Sequence, residues 1–179
     1  MAKVNVKCKY EVKGFDIALK HLKETVNMAS NINSYIEEFT RRLGDIGLQY
    51  ATLSFQRAQY DGTNDVTVSI EQSRPNVLKI VARGKAVLFI EFGTGIFYPD
   101  DHPKAKELNM VRGEYGQKKG QNESWVYVGE AGTHGKVLRY SDSGKQAVRT
   151  HGNPASRSMY LTAEEVRNNI QKIAEEVFG

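Results

Sequence analysis

The N-terminal segment of the chain alternates between two kinds of side chain. The even positions hold the less polar residues, Val4, Val6, Cys8, Tyr10 and Val12, whereas lysine recurs at the odd positions. Because successive side chains of a strand point to opposite faces, the alternation predicts a half-buried strand with a charged outer face. Cys8 falls on the buried face, where we interpret it as a small apolar side chain and not as a nucleophile.

A segment with helical spacing follows this strand. Phe15, Leu19, Leu22 and Val26 are spaced by four, three and four residues, so a helix would place all of them on one face. Residues 28–33 are polar and predict a turn.

The longest periodic segment lies just beyond that turn. Its apolar residues are spaced by three and four in alternation: Ile36, Phe39, Leu43, Ile46, Tyr50 and Leu53. Ser34 and Glu37 match a capping box, which predicts a helix start at Ser34. Gly44 and Gly47 fall inside the helix and predict a kink or a close approach by another backbone. The apolar stripe fits either a face buried on the domain's own sheet or a contact between subunits.

Short strands are predicted in the next part of the chain. Residues 66–70 and 77–81 favour two strands, with a hairpin loop at residues 73–76. Residues 86–92 form a short apolar run that fits a third strand or a short helix with Gly93 as its left-handed C-terminal residue, and we prefer the helix.

The C-terminal half begins with a long polar stretch. Residues 96–155 contain few apolar side chains, so they predict a mobile excursion with one hairpin near residues 125–140. A final helix follows a second capping box at Thr162 and Glu165. Its apolar positions are Val166, Ile170, Ile173 and Val177.

These elements predict a single α+β domain over residues 1–179. We expect a small, mainly antiparallel sheet packed against the long helix and the C-terminal helix, with residues 96–155 as a long flexible loop.

Composition changes this picture little. The net charge of +4 and pI of about 9.1 fit either an ordinary solvated surface or a surface that lies near DNA. The single cysteine excludes an intrachain disulfide. No apolar stretch matches a signal peptide or a transmembrane helix, so we expect synthesis and folding in a reducing cytoplasm.

Converging catalytic groups are scarce in the sequence. His21, His134 and His151 have no carboxylate or thiol partner at a recognisable spacing, and no residue sits in a nucleophile-elbow context. Residues 130–137 do not match a phosphate-binding loop, because Glu130 and Val137 stand where the motif needs a glycine and a hydroxyl side chain.

One acidic cluster remains as a candidate metal site. Asp100, Asp101 and His102, with Glu91 nearby in the sequence, carry side chains suited to a divalent cation. Because prolines bracket the cluster, it also fits a rigid exposed turn. We expect no metal, no cofactor and no enzymatic activity, and keep a metal-dependent nuclease as the weaker alternative.

A family resemblance appears around residues 89–95. The sequence Glu91-Phe92-Gly93-Thr94 after an apolar run resembles the tail-component family of long-tailed bacteriophages, whose members act as neck, head–tail joining or tail-completion proteins. Residues 60–66 and 82–87 resemble the segments that precede this motif in the family.

The end of the chain resembles the same family. Residues 152–155, followed by Met159, Tyr160 and a helix, are similar to the family's ending, and residues 125–127 also fit. The sequence departs from the family at residues 156–158, where a second proline is common.

The resemblance implies a structural virion protein of a phage or prophage. Copies would form a homo-oligomeric ring in the connector, neck or tail-completion region, next to other connector or tail proteins, with DNA passing nearby without sequence-specific binding. The expected location is the virion, and the host cytoplasm during assembly, with no membrane partner. The family carries no catalytic residues. A DNA-binding accessory protein is the alternative.

Two sets of residues are the candidate interface. The first is the motif itself: Glu91, Phe92, Gly93, Thr94 and Gly95. The second lies in the long loop: Arg112, Lys118, Lys119, Trp125 and Tyr127. In the motif, the glycines permit positive φ, Phe92 would anchor a turn in the core, and Glu91 could accept backbone N–H groups or an arginine of a neighbouring subunit. A capped turn with no role between subunits also fits.

Overall fold

The computed structural model describes residues 12–95, 102–111, 122–140 and 144–179. The strand predicted over residues 4–12 lies outside this part of the chain except at Val12, which is the first residue of a helix.

The described residues form a mixed α+β fold, which confirms the predicted class. The helices are α1 (Val12–Ser30), α2 (Ile32–Arg57), α3 (Val87–Phe92) and α4 (Ser158–Phe178). The strands are β1 (Thr67–Arg74), β2 (Val77–Arg83), β3 (Trp125–Val128), β4 (Lys136–Tyr140) and β5 (Gln146–Thr150). They divide into two small antiparallel sheets: sheet A consists of β1 and β2, and sheet B has the order β3-β5-β4.

The starts of the two longest helices differ from the capping-box predictions. Helix α2 begins at Ile32, after Asn31 alone separates it from α1, so Ser34 lies within the helix and the predicted turn shrinks to one residue. Helix α4 begins at Ser158. The hydroxyl of Thr162 donates to the Ser158 carbonyl at 2.7 Å from inside the helix and caps nothing.

Helix α2 packs against sheet A on one side and against α4 on another. Its buried positions are spaced by three, four and four: Gly44, Gly47, Ala51 and Phe55. A Cβ at Gly47 would lie 2.1 Å from Cδ1 of Ile80, and one at Gly44 would lie 2.9 Å from Cδ1 of Leu78. The absence of side chains at the two glycines therefore leaves room for side chains of β2. The close neighbour is a side chain, whereas the sequence suggested the backbone of another segment. Most of the predicted stripe lies half-buried beside these positions, within the chain's own fold.

Sheet A is the hairpin that the sequence predicts. Strands β1 and β2 pair from Thr67 and Arg83 at the open end towards Arg74 and Val77 at the turn. Asn76 in the turn has a φ of 60°, a left-handed conformation that asparagine tolerates better than most residues.

Sheet B corrects the interpretation of residues 96–155 as one long loop with a single hairpin. Strands β3 and β4 do not pair with each other, because β5 lies between them and pairs with both. Val148, at the centre of β5, is fully buried. Residues 102–111 form turns, and residues 151–157 form a segment without regular secondary structure that leads into α4.

The apolar core lies where α2, α3 and the base of sheet A meet. Phe55, Ala86 and Ile90 are buried there, with Val68 and Met159 packed around them. Helix α3 is the short helix preferred from the sequence, and its placement in the core fixes the residues that follow it. No helix in the described ranges is long and apolar enough to cross a membrane.

Candidate functional site

Helix α3 carries the Glu91 motif and is held at its start by Asp65. The Asp65 carboxylate accepts the N–H of Lys85 at 2.9 Å and that of Ala86 at 3.0 Å. These two backbone hydrogen bonds, that of Lys85 first, lower the pKa of Asp65. They also meet N–H groups that a helix start cannot pair internally.

Glu91, one turn further along α3, lies buried against the start of α4. Its carboxylate accepts the N–H of Met159 at 2.7 Å and that of Tyr160 at 3.0 Å. The residue is only 5% exposed. The first N–H groups of a helix have no partner within it, and the helix dipole favours a negative charge at that end. Glu91 therefore caps α4 from 68 residues away.

His102 supplies a third donor to the same carboxylate. Its Nε2 lies 3.1 Å from Oε1 of Glu91, and its Nδ1 accepts the N–H of Lys104 at 3.1 Å. Because Nδ1 is an acceptor, the ring hydrogen sits on Nε2 and is donated to Glu91. The imidazole packs between Phe92 and Tyr160, with ring centroids 4.3 Å and 5.8 Å away.

The backbone of the motif bonds directly to the segment before α4. The N–H of Ser156 donates to the Ile90 carbonyl at 2.8 Å, and the N–H of Arg157 donates to the Glu91 carbonyl at 3.1 Å. Arg157 has a φ of 57°, so the chain turns through a left-handed residue as it enters α4. The last carbonyls of α3 are satisfied in this way.

Thr94 and Asn153 form a second, fully polar contact between the same segments. The Thr94 N–H donates to the Asn153 carbonyl at 2.8 Å, and the Thr94 hydroxyl donates to Oδ1 of Asn153 at 2.8 Å. The Asn153 N–H returns a bond to the hydroxyl at 3.2 Å, and its side-chain amide donates to the Phe89 carbonyl at 3.0 Å. Asn153 is 1% exposed, so every one of these bonds is shielded from water.

Two glycines allow the segments to touch. A Cβ at Gly95 would lie 2.0 Å from the carbonyl oxygen of His151, and one at Gly152 would lie 2.0 Å from that of Thr94. Both glycines have positive φ, 67° and 100°. Gly93 also has a positive φ, 76°, but its ψ of 174° is extended, so it is not the left-handed residue that the sequence predicted.

A third polar cluster ties sheet B to the rest of the fold through Asp61. This carboxylate, 7% exposed, accepts the Thr150 hydroxyl and, at 2.6 Å, the N–H of His134. Nearby on β3, burial and then the charge of Asp61 raise the pKa of Tyr127 to about 12. The Tyr127 hydroxyl donates to the Glu130 carbonyl at 2.5 Å.

The residues predicted to form the site divide into three groups. Glu91 to Gly95 lie together in the buried connection, as the hypothesis of a capped, anchored turn requires. Trp125 and Tyr127 are half-buried on the covered face of β3, and the exposed residues of that strand are Val126 and Val128. Arg112, Lys118 and Lys119 lie outside the described residues.

The candidate metal cluster is divided between described and undescribed residues. Asp100 and Asp101 lie outside the described residues. Glu91 and His102 do meet, but both are committed to the cap of α4. Among the described residues no group of three or more histidine, cysteine, aspartate or glutamate side chains could hold a metal ion.

The residues that sequence reasoning missed are polar, and all of them except Asp65 are buried. Asn153, Thr150, Asp61 and Asp65 have no periodic or catalytic signature, since each acts through a partner far along the chain. The resemblance to phage proteins included Asn153 and Asp61 in its segments, but it gave no role to either.

An open groove of about 450 Å³ lies next to this connection. Its walls are Tyr50, Leu53, Ser54, Arg57, Ala58, Gln59, Pro154 and Ser156. This lining contains no carboxylate, imidazole or thiol group, and its polar side chains are the hydroxyls of Tyr50, Ser54 and Ser156, the guanidinium of Arg57 and the amide of Gln59.

Comparison of the chain with known protein families, with proteins of known function and with solved structures gives no match. The resemblance to phage tail components therefore rests on the sequence segments named above.

Proposed function

We propose that this chain is a structural subunit of the head–tail junction of a tailed phage or prophage. Copies would form a ring in the connector, neck or tail-completion region, around the passage for DNA. One observation carries the proposal. The two segments that resemble the family, residues 89–95 and residues 152–155 with Met159 and Tyr160, bond to each other in one buried connection, with Thr94 and Asn153 59 residues apart in the sequence. If the two segments resembled the family only by chance, there would be no reason for them to contact each other in the fold.

The chemistry of Glu91 favours a structural role. A general base has to reach a proton of its substrate, directly or through one water molecule. Glu91 is 5% exposed and already accepts three hydrogen bonds, from Met159, Tyr160 and His102. Its negative charge stabilises the start of α4.

A ring needs a surface on which copies meet, and α1 offers one. This helix makes few contacts with the other helices and strands that the structure describes. Leu19, Leu22 and Val26 share one face of it and are 37%, 47% and 60% exposed. Exposed apolar surface of this kind marks interaction sites. The proposed occupant is a neighbouring copy, because a patch that binds a different patch on the next copy closes into a ring.

The size of the purified protein tests ring formation. We expect native mass spectrometry and negative-stain electron microscopy to show closed oligomers, and Leu22→Asp with Val26→Asp to yield monomers. The matched control is Lys20→Gln with Asn27→Asp, which changes the net charge equally on another face of α1. Equal loss of assembly in both double variants would exclude the apolar face as the contact.

Phage particles test the location. We expect particles that lack this chain to accumulate separate heads and tails, and labelled protein to lie at the junction in purified virions. A junction that forms normally without the chain would contradict the proposal. In that case a DNA-binding accessory protein becomes the better interpretation, and it predicts tight, salt-dependent DNA binding by the isolated chain.

A further inference from the structure

The solvent face of sheet B is basic. Its side chains form two rows across β3, β5 and β4, because residues paired in register project from the same face. The rows are Val126, Arg149 and Lys136, and then Val128, Ala147 and Arg139. Each of the three cationic residues is exposed. Neighbouring strands lie about 4.8 Å apart and same-face residues about 7 Å apart along a strand, so the three cations share one small surface.

These cations have no anionic partner within the part of the chain that the structure describes. None of the ion pairs found there includes Lys136, Arg139 or Arg149. Moreover, Lys136 and Arg149 stand directly opposite each other. Like charges in that position destabilise a sheet. Within the described residues, therefore, no ion pair offsets the repulsion between these cations, and an external anion would offset it.

We infer that this face of sheet B binds the phosphate backbone of duplex DNA. Duplex DNA carries one negative charge for about every 1.7 Å of its axis, so several phosphates meet a basic surface of this size at once. Val126 and Val128 lie in the same rows without hydrogen-bonding side chains. The major groove admits a helix or a two-stranded ribbon and not the face of a three-stranded sheet, so the three cations meet phosphates, which carry no sequence information. Binding is therefore independent of sequence.

The choice of duplex DNA over an acidic protein rests on the proposed function, in which DNA passes the ring. The basic face itself follows from strand register and exposure alone. An acidic protein partner is consequently an outcome that the experiment distinguishes.

Fluorescence anisotropy of a labelled DNA duplex tests the inference with the purified full chain. Three phosphate contacts predict a slope of log affinity against log salt near −2.7, which is about a 40-fold weaker affinity when salt rises from about 50 to about 200 mM. The triple variant Lys136→Gln, Arg139→Gln and Arg149→Gln should lose this slope. The matched control is Lys79→Gln, Lys106→Gln and Lys172→Gln, which removes three exposed charges elsewhere and should keep the slope.

A second variant guards against a folding defect. Lys136→Arg with Arg139→Lys and Arg149→Lys retains every charge, so it should bind like the unaltered chain.

Three outcomes would overturn the inference: equal losses of DNA binding in the test and control variants, an affinity for DNA that does not depend on salt, or equally strong binding of polyglutamate. Inorganic phosphate that competes at low millimolar concentration would also overturn it, because the site would then hold a free anion. A ring that assembles normally but binds no DNA removes this inference and leaves the proposed function standing, whereas DNA binding without a ring does the reverse.

Discussion

A buried carboxylate such as that of Glu91 needs compensation for the water it loses. The desolvation of one ionised group in a protein costs several kcal/mol. Here the N–H groups of Met159 and Tyr160 and the imidazole of His102 replace the solvent. Because two of the donors belong to the positive end of α4, the same contacts fix the position of that helix relative to α3.

Replacement of Glu91 by glutamine tests this compensation. The amide keeps the shape of the side chain, but either orientation turns its NH2 group towards a donor of α4 or of His102. We expect a loss of about 3 kcal/mol in the free energy of unfolding, measured with a chemical denaturant. Glu164→Gln makes the same chemical change at an exposed position of α4 and should cost much less. Similar losses in both variants would contradict the capping role.

Asp65 gives the fold a dependence on acid pH. Hydrogen bonds from Lys85 and Ala86 lower its pKa in the folded state, below the value of about 3.9 expected for an unfolded chain. A lowered folded-state pKa means that the stabilisation is present above the unfolded pKa and is lost as the pH falls through the folded pKa.

Asp65→Asn is therefore expected to destabilise the protein at pH 7 and to matter progressively less below about pH 4. Denaturation of the unaltered protein and the variant at several pH values measures the gap between their free energies of unfolding. Asp16→Asn, on the exposed surface of α1, serves as the control and should show no such narrowing. A gap that stays constant across this range would show that the charge of Asp65 contributes nothing.

At the scale of elements, the fold depends on the contact between residues 93–95 and residues 151–153. The two segments approach each other backbone to backbone, and glycine at 95 and 152 is required for two separate reasons. A side chain there would both strain a positive φ and collide with a carbonyl oxygen.

The two reasons can be separated with a matched pair of variants. Gly95 and Gly144 have similar φ values, 67° and 76°, but a Cβ at Gly144 meets nothing within 4 Å. We expect Gly144→Ala to cost about 1 to 2 kcal/mol from backbone strain alone. Gly95→Ala should cost roughly 1 to 3 kcal/mol more, because the added atom forces the segments apart. Equal costs for the two variants in denaturant unfolding would show that the close approach is not needed.

Sequence patterns predicted the elements whose signals are local. The period of α2, the hairpin of sheet A and the stripe of α4 each depend on neighbouring residues, and all three appear in the structure. The helix start at Thr162 was wrong because α4 begins at Ser158 and is capped by Glu91, a partner that no local pattern reveals. The start at Ser34 was wrong because α2 begins at Ile32, separated from the end of α1 by one residue. The pairing of β3 with β4 was wrong because β5 has no alternating apolar signal and yet occupies the centre of sheet B.

The candidate site was predicted in outline only. In the motif Glu91 to Gly95, the burial of Phe92 and the backbone hydrogen bonds to Glu91 agree with the anchored turn that the sequence allowed, whereas a role between subunits stays a prediction. The segment around Asn153 was part of the family resemblance, but its contact with Thr94 could not be predicted. A contact between residues 59 positions apart depends on the whole fold.

At the scale of the molecule, sheet B is attached to the remaining fold mainly by polar contacts. Among the elements that the structure describes, its strands make extensive contacts only with one another. Asp61 reaches Thr150 and His134 from the segment after α2, and Gly132 lies close against Tyr60 and Asp61. If sheet B carries the DNA-facing surface and α1 carries the contact between copies, this junction sets the angle between these two surfaces.

Asp61→Ala tests whether the junction is a separate point of weakness. The variant leaves the N–H of His134 and the hydroxyl of Thr150 without their acceptor, each at a cost of about 1 to 3 kcal/mol. Since sheet B has few other attachments, the loss should appear as local opening and not as unfolding of the whole chain. Hydrogen exchange measured by mass spectrometry should then accelerate in β3, β4 and β5, while α2, α4 and sheet A keep their protection. Asp45→Ala, which removes an equal charge from the exposed side of α2, should leave exchange in sheet B unchanged. Uniform acceleration over all elements would instead show that sheet B and the helical layer unfold as one cooperative unit, so that the angle between the two proposed surfaces is fixed by the fold as a whole and not by Asp61.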